Sequence, residues 1–312
     1  MALSRQTQPL FSIIVPTYGR PEQLADCLQA LARLRFPREQ FEVIVVDDGS
    51  TTPPDAVVAR FCDHLDLALL TQAHAGPAAA RDTGAARAQG KFLAFTDDDC
   101  LPAPDWLATL AARLATAPDH VIGGRTLNAL PENPYAATSQ VIVDTAYAHY
   151  NPDPNQARFF ASNNLALPTD RFRAIGGFDA GFTTSEDRDL CDRWLHHDCR
   201  MIYAAEVVVY HAHPLTLRTF WRQHFNYGRG AFRFHQARAR RGEGPFRPEY
   251  RFYRNLFGYP FLQPRDQRRW RIAVLLVASQ IANAAGFCRE LAIRDQRRQP
   301  PNRDALDSHR AR

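Results

Sequence analysis

The sequence predicts an α/β fold in which a mostly parallel sheet is flanked by helices and followed by an Arg-rich helical extension. Two observations carry this prediction. Short apolar runs rich in β-branched residues alternate with amphipathic segments over the first 117 residues, which is typical of a parallel sheet covered on both faces. Beyond Pro214 the composition changes to arginine and aromatic residues with little β character.

The elements of the first 117 residues follow one another clearly. Residues 11–16 form an apolar, β-branched run that ends at a proline, as expected of a buried strand. Leucines then recur at helical spacing across residues 21–35, with Pro21 at the start of the helix. The same criteria predict further strands at 41–46, 65–71 and 91–96, and further helices at 53–63, 77–89 and 106–117.

Residues 118–213 are less regular. Four prolines between residues 131 and 154 predict long loops, and the apolar pieces at 121–122 and 141–143 fit short strand or helix segments. Two adjacent glycines mark a turn at 176–179. The remaining predicted elements are a helix from Glu186 through His196 and strands at 201–205 and 207–210, which lead to His211 and His213.

A triplet of carboxylates, Asp97, Asp98 and Asp99, follows the apolar run 92–95. Like charges this close raise one another's pKa unless a cation lies between them. If the strand continues, Asp97 and Asp99 point to the same side. Because oxygen ligands favour Mg²⁺ or Mn²⁺ over zinc, the triplet predicts a site for one of these ions. An isolated acidic triplet also fits a solvated turn.

Polar segments follow three of the predicted strands, at 16–20, 47–50 and 97–99. In parallel sheets ligands bind outside the carboxyl ends of the strands. We therefore expect the three segments to converge on one edge of the sheet and to form one binding site.

Charge is distributed unevenly along the 312 residues. Residues 1–213 carry 17 basic and 26 acidic residues, a net charge of −9, whereas residues 214–312 carry 21 arginines and 7 acids, a net charge of +14. This asymmetry suggests that the C-terminal third contacts an anionic partner, either a membrane surface or a nucleic acid. A soluble Arg-rich helical surface fits equally well.

The C-terminal third contains one long apolar run, residues 272–287. At 16 residues it is shorter than the roughly 20 needed to cross a bilayer, and it contains Ser279, Gln280 and Asn283. Arginines flank it on both sides, so an interfacial or packed amphipathic helix is predicted. The charged, proline-containing tail from Arg294 is predicted to be disordered.

The six cysteines show no CxxC or other paired spacing, and the N-terminus carries no signal-peptide pattern. These features predict reduced thiols in a cytoplasmic protein rather than a disulfide framework. Cys100, next to the acidic triplet, is expected to be a small buried residue.

Read in order, a set of motifs resembles the family 2 glycosyltransferases. The matching segments are 13–18 (IIVPTY), 45–50 (VVDDGS), 76–84 (GPAAARDTG), 95–99 (FTDDD), 176–179 (GGFD) and 186–190 (EDRDL). The resemblance covers residues 10–213 and implies a GT-A fold. It also implies a GT-A domain 1–213 with a nucleotide-binding half at 10–117 and an acceptor half at 118–213. The charge and composition that follow predict a basic helical extension 214–293, a candidate for membrane contact, and a disordered tail 294–312.

The resemblance also implies residue roles. Asp187 is the general base and Glu186 orients the site or the acceptor. Asn163 and Asn164 lie near the donor sugar and the acceptor, while Asp82 departs from the asparagine of many relatives. Contact with the nucleotide sugar is implied for Pro16, Thr17, Tyr18, Arg20, Asp48, Arg81, Asp97 and Asp98, and metal binding for Asp99, Asp97 and His213, with His211 as a weaker candidate.

The expected activity is an inverting, metal-dependent transfer of a sugar from a UDP-sugar to a hydroxyl group. The acceptor is a saccharide or a lipid-linked saccharide of the cell envelope, met at the inner face of the plasma membrane. One alternative is a catalytically inactive nucleotide-sugar-binding or scaffold protein. Nucleic-acid binding is the other alternative, and it is not expected because no such motif is present. In that case the aromatic residues on which bases would stack are Phe220, Trp221, Phe225, Tyr227, Phe232 and Phe234.

Overall fold

The computed structural model describes residues 8–242, 248–262 and 269–298. Its centre is one sheet of eight strands: β1 (Phe11–Thr17), β2 (Phe41–Asp47), β3 (Leu67–Thr71), β4 (Phe92–Phe95), β5 (Cys100–Pro102), β6 (Val121–Asn128), β7 (Leu165–Pro168) and β8 (Met201–His211). The order across the sheet is β3-β2-β1-β4-β7-β6-β8-β5. The predicted α/β fold is therefore confirmed, with a sheet that is parallel on one side and mixed on the other.

Helices cover both faces of this sheet and form the C-terminal extension. They are α1 (Pro21–Leu31), α2 (Asp55–Ala59), α3 (Pro77–Arg87), α4 (Trp106–Thr116), α5 (Pro134–Tyr150), α6 (Thr169–Ala174), α7 (Glu186–His196), α8 (Leu217–Arg240), α9 (Tyr250–Leu262) and α10 (Arg269–Arg298).

The parallel half of the sheet is formed by β3, β2, β1 and β4. Every residue of β1 and β2 is buried, because helices cover both faces. The leucines of α1 pack on one face. On the other face α3 lies so close that a Cβ atom on Gly84 would come within 2.6 Å of the Ile14 side chain. This close approach explains why α3 consists largely of alanine and glycine.

The other half of the sheet contains antiparallel pairs that the sequence did not predict. β7 runs antiparallel to both β4 and β6, and β5 runs antiparallel to β8. β8 is one strand rather than two, and its pairing with β6 changes register at Gly124 and Arg125. The loop predicted around residue 134 is instead the start of α5, where Asn133 accepts hydrogen bonds from the first turn and Pro134 occupies the first helical position.

Helices α8 and α10 of the extension pack against each other at backbone distance. A Cβ atom on Gly228 would overlap the carbonyl oxygen of Asn283, and one on Gly286 would overlap that of Phe225. α10 is longer than the apolar run 272–287, and it includes residues 294–298 of the predicted tail. The rest of that tail, 299–312, lies outside the described residues.

Candidate active site

The polar segments that follow β1, β2 and β4 meet at one edge of the sheet. The Thr17 hydroxyl donates to Asp98 Oδ2 at 2.7 Å, and the Gly19 amide donates to Ser50 Oγ at 2.7 Å. These three strands are adjacent and parallel, so their carboxyl ends lie side by side. The expected convergence is present in the structure.

The carboxylate triplet forms a turn rather than an extension of β4. The strand ends at Phe95, and the Cys100 amide closes the turn by donating to the Asp97 carbonyl oxygen at 3.0 Å. Asp97 contacts Arg81 at 2.6 Å, whereas Asp98 and Asp99 both contact Arg20, at 3.3 and 3.0 Å. The expectation that alternation along a strand puts Asp97 and Asp99 on one side is wrong, because the strand stops before them.

Asp98, the middle residue of the triplet, is buried in this turn. Burial raises the pKa of Asp98 to about 6, and the neighbouring charge of Arg20 offsets this only in part. Arg20 itself is partly exposed at the edge of the site. A partly protonated Asp98 would be stabilised as the carboxylate by any further cation that binds there.

Asp99 lies against two histidines at the end of β8. His213 Nδ1 is 2.7 Å from Asp99 Oδ2 and His211 Nε2 is 3.2 Å from Oδ1, and the two imidazole rings stack. Burial alone would raise the pKa of Asp99, but the contacts with the histidines hold it well below its usual range. One carboxylate and two imidazoles form an oxygen and nitrogen donor set that suits a divalent ion such as Mn²⁺.

Cys100 also lies in this group, since its Sγ is within 4.8 Å of ligand atoms on Asp99 and His211. It is fully buried, as predicted. Burial, and then the negative charges of Asp99 and Asp97, raise the pKa of its thiol well above the usual value. The ligand atoms that lie together are thus those of Asp99, Cys100 and His211, and His213 is held on the second carboxylate oxygen of Asp99 at 2.7 Å.

Asp48 organises the loop that precedes α3. Its carboxylate accepts hydrogen bonds from the Ala75 and Gly76 amides, both at 2.8 Å, and from Gln72 Nε2 at 2.7 Å. Next to it the rings of Tyr18 and His74 stack at 4.3 Å, and Tyr18 is 50% exposed. Contact of Asp48 with the base of a nucleotide stays a prediction. The stacked rings of Tyr18 and His74 lie at the same edge of the sheet.

Arg81 joins the two halves of the domain. It is only 3% exposed; one terminal nitrogen lies 2.6 Å from Asp97 Oδ1 and the other 2.9 Å from Glu186 Oε1. The guanidinium also lies over the Phe178 ring, 5.6 Å from its centre. The resemblance implies a direct contact of Arg81 with the nucleotide, but in this arrangement its terminal nitrogens bind the protein's own carboxylates.

The candidate base, Asp187, lies in the first turn of α7. Before it, Ser185 has a left-handed backbone with φ of 70°, an uncommon conformation for a residue other than glycine. Asp187 is half-buried, and Oδ1 accepts from the Arg188 amide at 2.7 Å. Burial, and then the negative charge of Glu186, raise the pKa of Asp187 to about 7. A carboxylate with this pKa can accept a proton near neutral pH.

The two asparagines occupy different environments. Asn164 is fully buried; it accepts from Trp106 Nε1 at 2.9 Å and donates to the Val207 carbonyl oxygen at 3.0 Å. Its side chain therefore connects α4 to β8 and has no exposed atom for a sugar. Asn163 accepts from the Thr126 hydroxyl at 3.1 Å. Its proposed contact with a sugar stays a prediction.

Tyr227 of α8 borders the site and was not identified as a site residue from the sequence. Tyr227 is 42% exposed, and its hydroxyl accepts from Gln223 Nε2 at 2.9 Å. Desolvation of the hydroxyl, and then the charges of Asp187 and other nearby acids, raise the pKa of Tyr227. No local pattern in the sequence places this part of α8 beside Asp187.

The aromatic residues of α8 offer little support for nucleic-acid stacking. Phe220, Phe232 and Phe234 are buried in the packing of the helix and have no free face. Trp221 and Tyr227 are exposed, and the Tyr227 ring packs edge-to-face on that of His224.

Comparisons with known proteins agree with the geometry. The model of the family "Glycosyl transferase family 2" matches residues 12–181. The chain is 31% identical over 228 residues to validoxylamine A glucosyltransferase of Streptomyces hygroscopicus subsp. jinggangensis, covering 64% of this chain and 54% of that protein. It is 30% identical over 227 residues to pre-mycofactocin glycosyltransferase of Mycobacterium tuberculosis H37Rv, covering 70% and 46%. The chain thus spans about half the length of these relatives.

Two solved structures share the fold. Mannosyltransferase PcManGT from Pyrobaculum calidifontis, in complex with GDP-Man and Mn²⁺, has a TM-score of 0.61 at 22% identity, covering 89% of this chain and 76% of that one. Staphylococcus aureus TarS 1–349, in complex with UDP-GlcNAc, has a TM-score of 0.53 at 17% identity, with 92% of each chain covered. The family match extends over more than half of the sequence. The chain therefore belongs to glycosyl transferase family 2.

Proposed function

We propose that this chain is an inverting, metal-dependent glycosyltransferase that moves a sugar from a UDP-sugar to a hydroxyl group. The observation that carries the proposal is the position of Asp187. This half-buried carboxylate has a pKa of about 7 and lies beside Glu186, which Arg81 connects to Asp97 at the strand edge. Such an arrangement brings a candidate base next to a candidate donor site.

The proposed reaction is a single in-line displacement. The acceptor oxygen attacks the anomeric carbon from the face opposite the diphosphate, and the bond from that carbon to the diphosphate oxygen breaks. The acceptor hydroxyl proton passes to Asp187, and the nucleoside diphosphate leaves with the bonding electrons. Attack from the opposite face converts an α-linked donor into a β-glycoside. Positioned general bases of this kind contribute about 10²–10⁴-fold to rates.

The donor is proposed to lie on the edge formed by Pro16, Thr17, Tyr18, Arg20, Asp48 and Asp98. Mn²⁺ or Mg²⁺ would be held by Asp99, His211 and His213, with Asp97 implied by the resemblance. When bound, a divalent ion neutralises negative charge on the leaving diphosphate. Arg20 contributes a second positive charge at the same edge. The solved relatives in complex with GDP-Man or UDP-GlcNAc support a nucleotide-sugar donor.

Thermal-shift measurements test the donor site. We expect UDP with Mn²⁺ to raise the melting temperature more than either alone, because the ion neutralises the charge of the diphosphate and so strengthens its binding. A ligand present at 100 times its Kd stabilises the native state by about 2.7 kcal/mol. GDP and ADP in parallel identify the preferred base. Asp99→Asn should lose the Mn²⁺-dependent part of the shift, whereas Asp119→Asn, an exposed acid paired with Arg171, should retain it. An unchanged Mn²⁺-dependent shift in the Asp99 variant would count against the metal assignment.

The pH dependence of turnover tests the base. Because the pKa of Asp187 is raised to about 7, the carboxyl group is protonated below that pH and cannot accept a proton. We expect kcat to rise about tenfold per pH unit below pH 7 and to level off above it. Glu186→Gln removes a charge that raises this pKa and leaves the charge of Arg81, so the midpoint should move to lower pH. A profile that is flat across neutral pH would contradict the assignment.

The alternative is a protein that binds nucleotide sugars without transferring them. It would show the same thermal shifts but neither transfer nor donor hydrolysis with a panel of nucleotide sugars and Mn²⁺. The raised pKa of Asp187 favours the enzyme, since a purely structural acid at the start of a helix needs no such environment. We further propose a cytoplasmic location, supported by six free cysteines, and a saccharide or lipid-linked acceptor of the cell envelope.

A further inference from the structure

The exposed side of α10 is apolar along most of its length. Trp270, Val274, Val277 and Ile281 are 48–67% exposed and recur at helical spacing. The same line continues through exposed residues of low polarity, namely Ala284, Ala285, Cys288 and Ala292. These eight residues are called the α10 stripe. With a rise of about 1.5 Å per residue the stripe is about 33 Å long. Soluble monomers rarely expose continuous apolar surface on this scale.

Arginines border the α10 stripe. Arg271 and Arg289 follow Trp270 and Cys288 by one residue, which places them about 100° around the helix from the stripe. Both are exposed, and neither makes an ion pair with another residue in the described ranges, while the Arg289 guanidinium lies over the Phe225 ring of α8, 5.9 Å from its centre. Arg269 lies on the opposite border. An apolar stripe with arginines on both borders is the pattern of a helix that lies in a membrane interface, where the arginine side chains reach the headgroups.

Helix α9 adds to the same surface. Phe261 is 56% exposed and packs edge-to-face on Trp270, with ring centres 5.7 Å apart. Phe257 lies one turn before it and is also exposed. Arg251 and Arg254 are exposed on this helix and make no ion pair among the described residues. The apolar surface and the unpaired positive charge therefore extend over two helices.

The packing of α10 decides how it would meet a bilayer. By length and composition, Arg269–Asp295 could cross a membrane. However, the opposite side of α10 is fastened to α8, where Gly228 and Gly286 allow backbone contact. Glu290 of α10 also contacts Arg229 of α8 at 2.6 Å. A helix held along one side by a water-soluble domain can lie on a bilayer but cannot cross it without separating from that domain.

We propose that the α10 stripe and the exposed aromatic residues of α9 form a docking surface for an anionic lipid bilayer, with α10 parallel to the membrane plane. Charge complementarity supports this partner, since residues 214–312 carry a net charge of +14. Residues 299–312 are mostly polar and charged, so this segment is a poor cover for the stripe. The proposal does not depend on the chemistry of the active site.

Vesicle sedimentation with the full chain tests the proposal. We expect the protein to pellet with phosphatidylcholine vesicles that contain phosphatidylglycerol, and to pellet less as salt is added. The double variant Val277→Asp, Ile281→Asp should lower the partition coefficient by about a hundredfold or more, because it places two charges in the apolar surface. Arg271→Gln and Arg289→Gln should each cost about fivefold, and only on anionic vesicles. Binding should also shift the fluorescence of the wild-type protein to the blue, and Trp270→Phe should reduce this shift.

Leu217→Asp is the matched control, because Leu217 is 56% exposed but lies on α8 outside the stripe. It should bind vesicles like the wild type. Circular dichroism melts and the UDP–Mn²⁺ thermal shift report whether the stripe variants remain folded. Wild-type protein that stays in the supernatant at low salt overturns the proposal. So does a wild-type dimer in light scattering that the stripe variants convert to monomer without any vesicle binding, because a second copy of the chain would then cover the stripe.

Discussion

Asp187→Asn is expected to lower kcat by about 10²–10⁴-fold while the affinity for UDP and Mn²⁺ changes little. Asparagine has nearly the same shape as aspartate but cannot accept the acceptor proton. Its side-chain oxygen can still accept from the Arg188 amide, so the first turn of α7 should be preserved. The measurement is initial-rate transfer at saturating donor, with nucleotide affinity measured in parallel by calorimetry.

Asp192→Asn is the control for this variant. Asp192 lies on the same helix and contacts Arg241 at 2.7 Å and Arg238 at 3.1 Å, away from the proposed reacting atoms. It should keep its turnover and lose only stability. Turnover at the wild-type level in Asp187→Asn would refute the assignment of the base, whereas equal losses in both variants would indicate a general effect on α7.

Arg81→Met is expected to destabilise the fold by about 3–5 kcal/mol and to reduce turnover at the same time. Methionine fills a similar volume but leaves Glu186 buried without its cation and Asp97 without its 2.6 Å partner. Urea unfolding gives the change in the free energy of unfolding. Arg81→Lys should restore only part of the lost stability, because one ammonium group cannot replace the contacts that the guanidinium makes with both carboxylates.

Arg87→Met is the matched control, since Arg87 is exposed on the same helix. It should leave both stability and turnover near the wild-type values. If Arg81 instead contacts the nucleotide directly, Arg81→Met should raise the KM for the donor with little loss of stability. That result would contradict the bridging role.

The elements predicted most closely are those specified by local patterns. The strand predicted at 11–16 is β1 (Phe11–Thr17), and the helix predicted from Glu186 through His196 is α7 over the same residues. In both, the periodicity of apolar side chains or the run of β-branched residues lies within the element itself. The meeting of three polar segments also followed from a general rule, since adjacent parallel strands end at the same edge.

What the sequence did not reveal depends on contacts between distant residues. β5 and β7 have only three and four residues, and they are strands because β8 and β4 pair with them. The partner of Arg81 lies 105 positions away, at Glu186. No local pattern encodes such a distance, so the bridge between Asp97 and Glu186 could not be predicted, and contact of Arg81 with the nucleotide stays a prediction.

Gly230 of α8 lies against the corner that carries the candidate base. A Cβ atom there would overlap the Thr184 side chain and carbonyl oxygen, so the helix braces the left-handed turn at Ser185 from behind. This brace begins after residue 181, where the family match stops. A fragment that ended there would lack Asp187, β8 and both histidines as well as this brace. Exchanging α8 for that of a relative should therefore alter turnover even when every candidate site residue is kept.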